Sequence, residues 1–167
     1  GIQIFLNTRV SNPINSSDRW VVKLVQNTDI LTLQNDFLVD ATGRRAWLAR
    51  KQQSRLIMHD RLIGVIGFVE HNPSGSSQSN RILLEACEDG WWYSIPLPRD
   101  KIVAAYMTDA DLFRTQHQPA QIFWSQCLKA SVFTRDRLSD AQKSVKVHVR
   151  PAWSQILNNI VGSRWVA

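Results

Sequence analysis

The chain has 167 residues, a formal net charge of +6 at pH 7, 44% hydrophobic residues and 20% charged residues. These values fit one soluble globular domain with a sizeable core, and no apolar run approaches the length of a membrane span. A pI near 9.8 raises nucleic-acid binding as an option, but the Lys and Arg residues are scattered. Their densest spots are Arg44-Arg45, Arg50-Lys51 and Lys143 to Arg150, which read better as solvated faces.

Ile2 to Val10 reads as a strand, and Ser11 to Asp18, rich in Asn, Ser and Pro, as a loop. Trp20 to Val25 and Ile30 to Leu33 are strands around a turn at Gln26-Asn27-Thr28-Asp29. Phe37 to Asp40 reads as a buried apolar strand that ends in small residues and turns at Gly43. Arg45 to Gln52 has helix-forming composition, with Arg50 and Lys51 where cations suit the helix dipole. Strands are expected over Arg61 to Glu70, Arg81 to Cys87, Trp91 to Leu97 and Lys101 to Met107. His71 to Asn80 reads as a hairpin loop, and Glu88-Asp89-Gly90 and Pro98-Arg99-Asp100 as tight turns. The four strands are expected to form an antiparallel meander. Thr108 to Asp111 resembles a capping box opening a short helix. Pro119 opens a longer one, with Ala120, Phe123, Trp124, Cys127 and Leu128 on one apolar face. Another short helix is expected over Arg135 to Ala141. Val145, Val147 and Val149 alternate with Lys146, His148 and Arg150, the pattern of a half-buried strand with one wet face. The sum is an α+β fold: an antiparallel or mixed sheet with helices packed on one side.

The chain offers few catalytic signatures. It contains no Gly-x-Ser-x-Gly, no P-loop and no Gly-x-Gly-x-x-Gly. His59, His71, His117 and His148 are isolated in sequence, so no metal site is expected. Cys87 and Cys127 lack metal-ligand spacing and read as buried free thiols, which suits a reducing, cytoplasmic compartment. Glu85 and Glu88-Asp89 read as solvated acids flanking a turn. Two stretches carry more. Asp40-Ala41-Thr42-Gly43-Arg44 is either an Asx or Thr turn with Gly43 at positive φ, or a turn whose amides meet a cofactor phosphate or ribose. Along Trp91-Trp92-Tyr93-Ser94-Ile95, strand alternation puts Trp91, Tyr93 and Ile95 on one face and Trp92 and Ser94 on the other. Either set is cross-strand core packing or the wall of a pocket for an apolar or aromatic ligand.

Asp40 to Arg44, Gly90-Trp91-Trp92-Tyr93-Ser94-Ile95-Pro96-Leu97-Pro98, Met107-Thr108-Asp109 and the terminal Gly162 to Ala167 occur in that order. The ordered set resembles the middle, substrate-binding part of FAD-dependent oxidoreductases of the tryptophan-halogenase-like and aromatic-hydroxylase-like group, over nearly the whole chain. The resemblance implies that Ala41-Thr42-Gly43 returns the chain to an FAD-binding domain and that Asp40 to Arg44 lie by the cofactor. It also implies a sheet that covers the flavin and the substrate. That family's N-terminal Gly-x-Gly-x-x-Gly is absent here, and so is the Gly-Asp that follows the strand matched by Trp165-Val166-Ala167. Halogenases carry Trp-x-Trp-x-Ile-Pro on the strand where this chain has Tyr93 in place of the second Trp. Hydroxylation or another flavin-mediated oxidation therefore stands beside halogenation.

The expectation is one domain over 1–167, a fragment of a larger enzyme, with 1–44 and 162–167 bordering the missing FAD-binding domain. Its partners are that domain and a small-molecule substrate, with no membrane and no nucleic acid. The catalytic residues are expected outside this chain. A stand-alone, non-catalytic ligand-binding module is the alternative, and a nucleic-acid binder with stacking tryptophans a weaker one. Without a phosphate-binding loop, the isolated chain is expected to lose FAD on dialysis. A yellow protein with stoichiometric FAD after dialysis contradicts this.

Overall fold

The computed structural model describes residues 1–16, 18–70, 81–139 and 145–167. In chain order the elements are β1 (Arg9–Asn15), β2 (Trp20–Gln26), β3 (Asp29–Asn35), β4 (Leu38–Val39), α1 (Trp47–Lys51), β5 (Leu56–Met58), β6 (Leu62–Glu70), β7 (Leu83–Cys87), β8 (Gly90–Leu97) and β9 (Lys101–Asp109). Helices α2 (Ala110–Thr115), α3 (Ala120–Ala130) and α4 (Phe133–Arg137) follow, then β10 (Lys146–Pro151), β11 (Gln155–Leu157), β12 (Val161–Gly162) and β13 (Trp165–Val166). Two compact units result, one of Gly1–Ile57 with Ile156–Ala167 and one of Met58–Gln155. The fold is α+β with mostly antiparallel sheets, as the sequence pattern indicates.

The first unit contains an antiparallel sheet β1-β2-β3 and a small sheet β12-β13-β4. Its core gathers Trp20, Leu48, Ala49 and Trp165 around the buried Ala46. The Trp20 indole N–H donates to the Arg164 carbonyl at 2.8 Å. The hairpin β2–β3 turns on Asn27, at φ 54°, between the paired Gln26 and Asp29. Three expectations change here. Ile2 and Ile4 are exposed outside any strand, while Arg9–Asn15, expected to be mostly loop, is the strand. Its register shifts between Ser11 and Ile14, and Asn12 has φ 46°. That bulge on an edge strand absorbs Pro13, whose missing N–H then breaks no regular ladder. Phe37 to Asp40 is not a buried strand either: β4 is two residues long, and Phe37 and Val39 are exposed. β4 pairs in parallel with β13, Leu38 facing Trp165 and Val39 facing Val166.

The second unit is a five-stranded antiparallel sheet in the order β10-β6-β9-β8-β7. β7, β8 and β9 form the expected meander, but β6 pairs with β9 rather than β7. His71 to Asn80 lies outside the described residues, and the strands it joins are not hairpin partners. The capping box is not formed. Thr108 stays in β9 and its hydroxyl donates to the Asp89 carbonyl at 2.7 Å, while Asp109 caps α2 with no side-chain bond. The Ala141 end of the last expected helix lies outside the described residues; α4 ends at Arg137.

Helices α2 to α4 cover one face of this sheet. Val65 and Val69 of β6, Trp92 and Ser94 of β8, and Ile102, Ala104 and Tyr106 of β9 point into that layer and are buried. The Trp92 ring meets Tyr106 at 5.1 Å and Trp124 of α3 at 5.4 Å, nearly edge-on at 86°. Phe123 continues the stack to Tyr106 and Phe113. The Trp124 indole N–H donates to the Ala104 carbonyl at 3.1 Å. Gly67 makes room: a Cβ there would stand 2.8 Å from Trp124 Cζ2 and from Val145 Cγ1. Gly64, three residues earlier on the opposite face, would meet only side-chain atoms, the nearest being Met107 Sδ at 3.2 Å. In urea denaturation, Gly67→Ala is expected to cost about 1–3 kcal/mol by overpacking. Gly64→Ala is expected to cost less, because a thioether arm yields easily. Equal costs would contradict this assignment of faces.

Candidate functional site

The face of the five-stranded sheet away from the helices is apolar and open. Alternation along β8 decides which side chains reach it. Trp92 and Ser94 are fully buried beneath the helices, whereas Trp91 is 39% exposed and Tyr93 and Ile95 are half-buried. Of the two sets read from the sequence, Trp91, Tyr93 and Ile95 therefore form the open wall.

Cross-strand register extends the wall into rows. Trp91 stands beside Ala86 and Met107, and Met107 beside Gly64, whose partner on β10 is Arg150. Tyr93 stands beside Leu84 and Ala105, and Ala105 beside Ile66, whose partner is His148. Ile95 faces Val103, Val103 faces Phe68, and Phe68 faces Lys146. Leu84 and Phe68 are 65% and 49% exposed, so large apolar side chains stand open to solvent on this face. The valines of β10 point to the helices and its cations to the open face, as their alternation predicts.

The turn at Asp40 to Arg44 is held by side chains. Asp40 Oδ1 accepts from the Thr42 hydroxyl at 2.6 Å and the Thr42 amide at 3.1 Å. Asp40 Oδ2 accepts from the amides of Leu48 at 2.7 Å and Ala49 at 3.1 Å. The Thr42 hydroxyl accepts from the Trp47 amide at 2.9 Å. The carboxylate thus binds the amino end of α1 from outside the helix. Gly43 has φ +63°, and open space surrounds the position of its absent Cβ. Ala41, Thr42, Gly43 and Arg44 are exposed. Beside this turn the first unit has a cleft of about 730 Å³ with Leu24, Leu38 and Trp47 among its apolar walls and Arg9, Asp40 and Arg45 among its polar ones.

Glu85 repeats the device at α4 and is not the solvated acid expected from sequence. Its Oε1 accepts from the amides of Val132 at 2.7 Å and Phe133 at 3.1 Å. Its Oε2 accepts from the Thr134 amide at 2.7 Å and hydroxyl at 2.6 Å. No local motif announces this bond, because strand and helix lie almost fifty residues apart. Both cysteines are free and half-buried. Burial, with Cys87 and Asp89 adding to it, pushes the Cys127 thiol up to about 11; burial and Glu85 push Cys87 up as well. Neither thiol is an activated nucleophile at neutral pH. Among the described residues, no three His, Cys, Asp or Glu side chains gather as metal ligands, and no helix is long and apolar enough to cross a membrane.

No protein-family model matches the chain. It is 31% identical over 133 residues to a protein of Marinomonas mediterranea named as an FAD-dependent oxidoreductase, LodB, covering 79% of this chain and 36% of that one. The flavin-dependent halogenase CmlS superposes on 95% of this chain with a TM-score of 0.80 at 22% identity. Aklavinone-11 hydroxylase, solved with FAD and aklavinone, does so with a TM-score of 0.70 at 13% identity. The chain spans 30% and 31% of those two proteins. It resembles part of an FAD-dependent oxidoreductase and has the fold of a segment of flavin-dependent halogenases and hydroxylases. LodB is named for FAD, CmlS for a flavin, and the hydroxylase was solved with FAD; each is much longer than this chain.

The two helix-binding carboxylates set an acid limit on stability. Burial pushes the Asp40 carboxyl up, but the Thr42 hydroxyl and the amides of Ala49, Thr42 and Leu48 outweigh it and hold the group below its usual 3.8. Burial likewise opposes, and the Thr134 hydroxyl with three amides outweighs, at Glu85, held below its usual 4.5. A depressed folded pKa adds stability above the unfolded value, and that stability is lost as the pH falls through 4.5 and 3.8 toward the folded values. Asp40→Ala and Glu85→Ala are each expected to cost about 1–2 kcal/mol at pH 7, as a lost cap does, and to flatten the fall of Tm between neutral pH and pH 3. A Tm profile that keeps its full acid slope in the double variant would contradict this.

Proposed function

We propose that this chain is the substrate-binding portion of an FAD-dependent oxidoreductase, monooxygenase- or halogenase-like, that acts on an aromatic or apolar small molecule. One observation carries the reading: the helices take one face of the five-stranded sheet and leave Trp91, Tyr93 and Ile95 on the other. A ligand laid there gains apolar contact and aromatic edges and faces.

The first unit supports the cofactor side of the proposal. The small sheet β12-β13-β4 has only two residues in each strand, short for a sheet, and its β4–β13 pair is parallel. It suits a docking point for the missing FAD-binding domain, with residues 1–44 and 162–167 at the border. Asp40 and Thr42 fix the turn from within, and the open space at Gly43 lets a cofactor group approach the backbone. Asp40 to Arg44 would hold FAD in this way, with Ala41, Gly43 and Arg44 presenting the exposed contacts. FAD supplies the redox chemistry; this chain's residues orient the substrate and exclude water. Among the described residues, none is assigned the role of general base. Two unpaired thiols accord with a cytoplasmic setting.

The test has two arms. Extended by the segments that flank it in its gene, the chain is expected to retain stoichiometric FAD. In the 167-residue chain, the neutral probe 2-naphthylmethanol is expected to move the Trp91 indole N–H signal in a nitrogen–proton NMR spectrum, the signal being assigned by its loss in Trp91→Phe. An extended protein without FAD refutes the enzyme reading, and an unmoved Trp91 signal refutes the ligand wall.

A further inference from the structure

We propose that the outer edge of β7 is an interface between two copies of this chain, on which a second β7 adds in antiparallel register about a two-fold axis at Glu85. The two edges of the five-stranded sheet differ in how they meet solvent. β10 carries Lys146, His148 and Arg150 and ends on Pro151, the charges and proline that keep an edge from pairing with other chains. β7, Leu83-Leu84-Glu85-Ala86-Cys87, has no such guard. Its one charged side chain, Glu85, is turned inward and bonded to the start of α4. Leu84 is 65% exposed, and Val132 and Phe133, whose amides Glu85 holds, are 52% and 64% exposed. An unguarded edge flanked by large apolar side chains is a template for another strand.

The register follows from the hairpin. A two-residue turn joins Cys87 to its partner Gly90, so Leu83, Glu85 and Cys87 exchange hydrogen bonds with β8, and the amide and carbonyl groups of Leu84 and Ala86 point outward. Two copies pair all of these groups when Leu84 of one faces Ala86 of the other. That register sets Glu85 on the axis, where each carboxylate is already held by its own α4. It also brings opposite charges together. Two residues beyond either end of β7, Arg81 of each copy comes opposite Asp89 of the other, next to Glu88. The backbone is fixed at both positions: the Arg81 carbonyl accepts from Arg137 Nη2 at 2.7 Å, and the Asp89 carbonyl from the Thr108 hydroxyl at 2.7 Å. Both residues are exposed. Sliding the partner by two residues either way sets Arg81 against Cys87 or Trp91 and loses both ion pairs.

Sedimentation equilibrium of the 167-residue chain over a concentration series is expected to show monomer and dimer in exchange. Amide hydrogen exchange at Leu84 and Ala86 is expected to slow as the dimer fills. Charge reversal tests the register. Arg81→Asp and Asp89→Arg each set like charges opposite one another twice across the axis, and each is expected to weaken the dimer about tenfold. The double variant R81D/D89R restores opposite charges and is expected to return to the native dissociation constant. Added salt is expected to weaken the native and double-variant dimers alike. A chain that stays monomeric overturns the proposal and leaves the edge to an extended segment of a different protein. A dimer indifferent to the single reversals, a double variant as weak as the single ones, or Leu84 and Ala86 amides that exchange at the monomer rate overturns it as well. The exchange measurement uses the native chain alone, so it decides the matter even where a variant fails to fold.

Discussion

The packing of Trp124 against Gly67, Ala104 and Trp92 is the contact on which the second unit depends. A strand exposes alternate side chains to opposite faces, so a sheet must choose which face to bury. Here α3 makes the choice. Its indole fits where β6 has no Cβ, bonds to a β9 carbonyl and meets the ring of Trp92 edge-on. Burial of two tryptophans gives one face most of the available apolar contact, and losing either ring would be expected to cost about 3–5 kcal/mol. Once those residues are committed to the helices, their neighbours Trp91, Tyr93 and Ile95 must face the other way. The open wall is thus a consequence of the core.

Much of this was legible in the sequence, because period-two patterns are local. The valines and cations of β10, the strand from Trp91 to Leu97 and the apolar face of α3 all appear as read. What a local pattern lacks is a sense of which face a partner will claim. Trp91-Trp92-Tyr93 is aromatic on both faces, so the choice is made by α3, whose Trp124 packs over Gly67 and against Trp92. The same limit explains the strand order. Tight turns fix β7, β8 and β9 as neighbours, but the place of β6 beside β9 rests on long-range pairing.

The remaining departures have the same kind of cause. Asn12 and Pro13 are turn residues by composition, yet a bulge on an edge strand accommodates them. Thr108 and Asp111 have capping spacing, but the Thr108 hydroxyl finds the Asp89 carbonyl first. Glu85 is an ordinary strand acid until α4 arrives with four donors. In the Asp40 turn, the sequence offered a self-contained turn and a cofactor turn. The hydrogen bonds form the first, and the exposed backbone around Gly43 leaves room for the second. A rigid turn is a suitable platform for a ligand because its own polar groups are already satisfied.

The division of the sheet into a helix-covered face and an open face, proposed above to hold the ligand, is tested most directly by a crystal structure of the chain, extended by its flanking gene segments and soaked with an aromatic compound. The account requires electron density for that compound in van der Waals contact with Trp91 and Tyr93, on the side away from Trp124. Packed protein covering Trp91 and Tyr93, with the compound bound elsewhere, would contradict it.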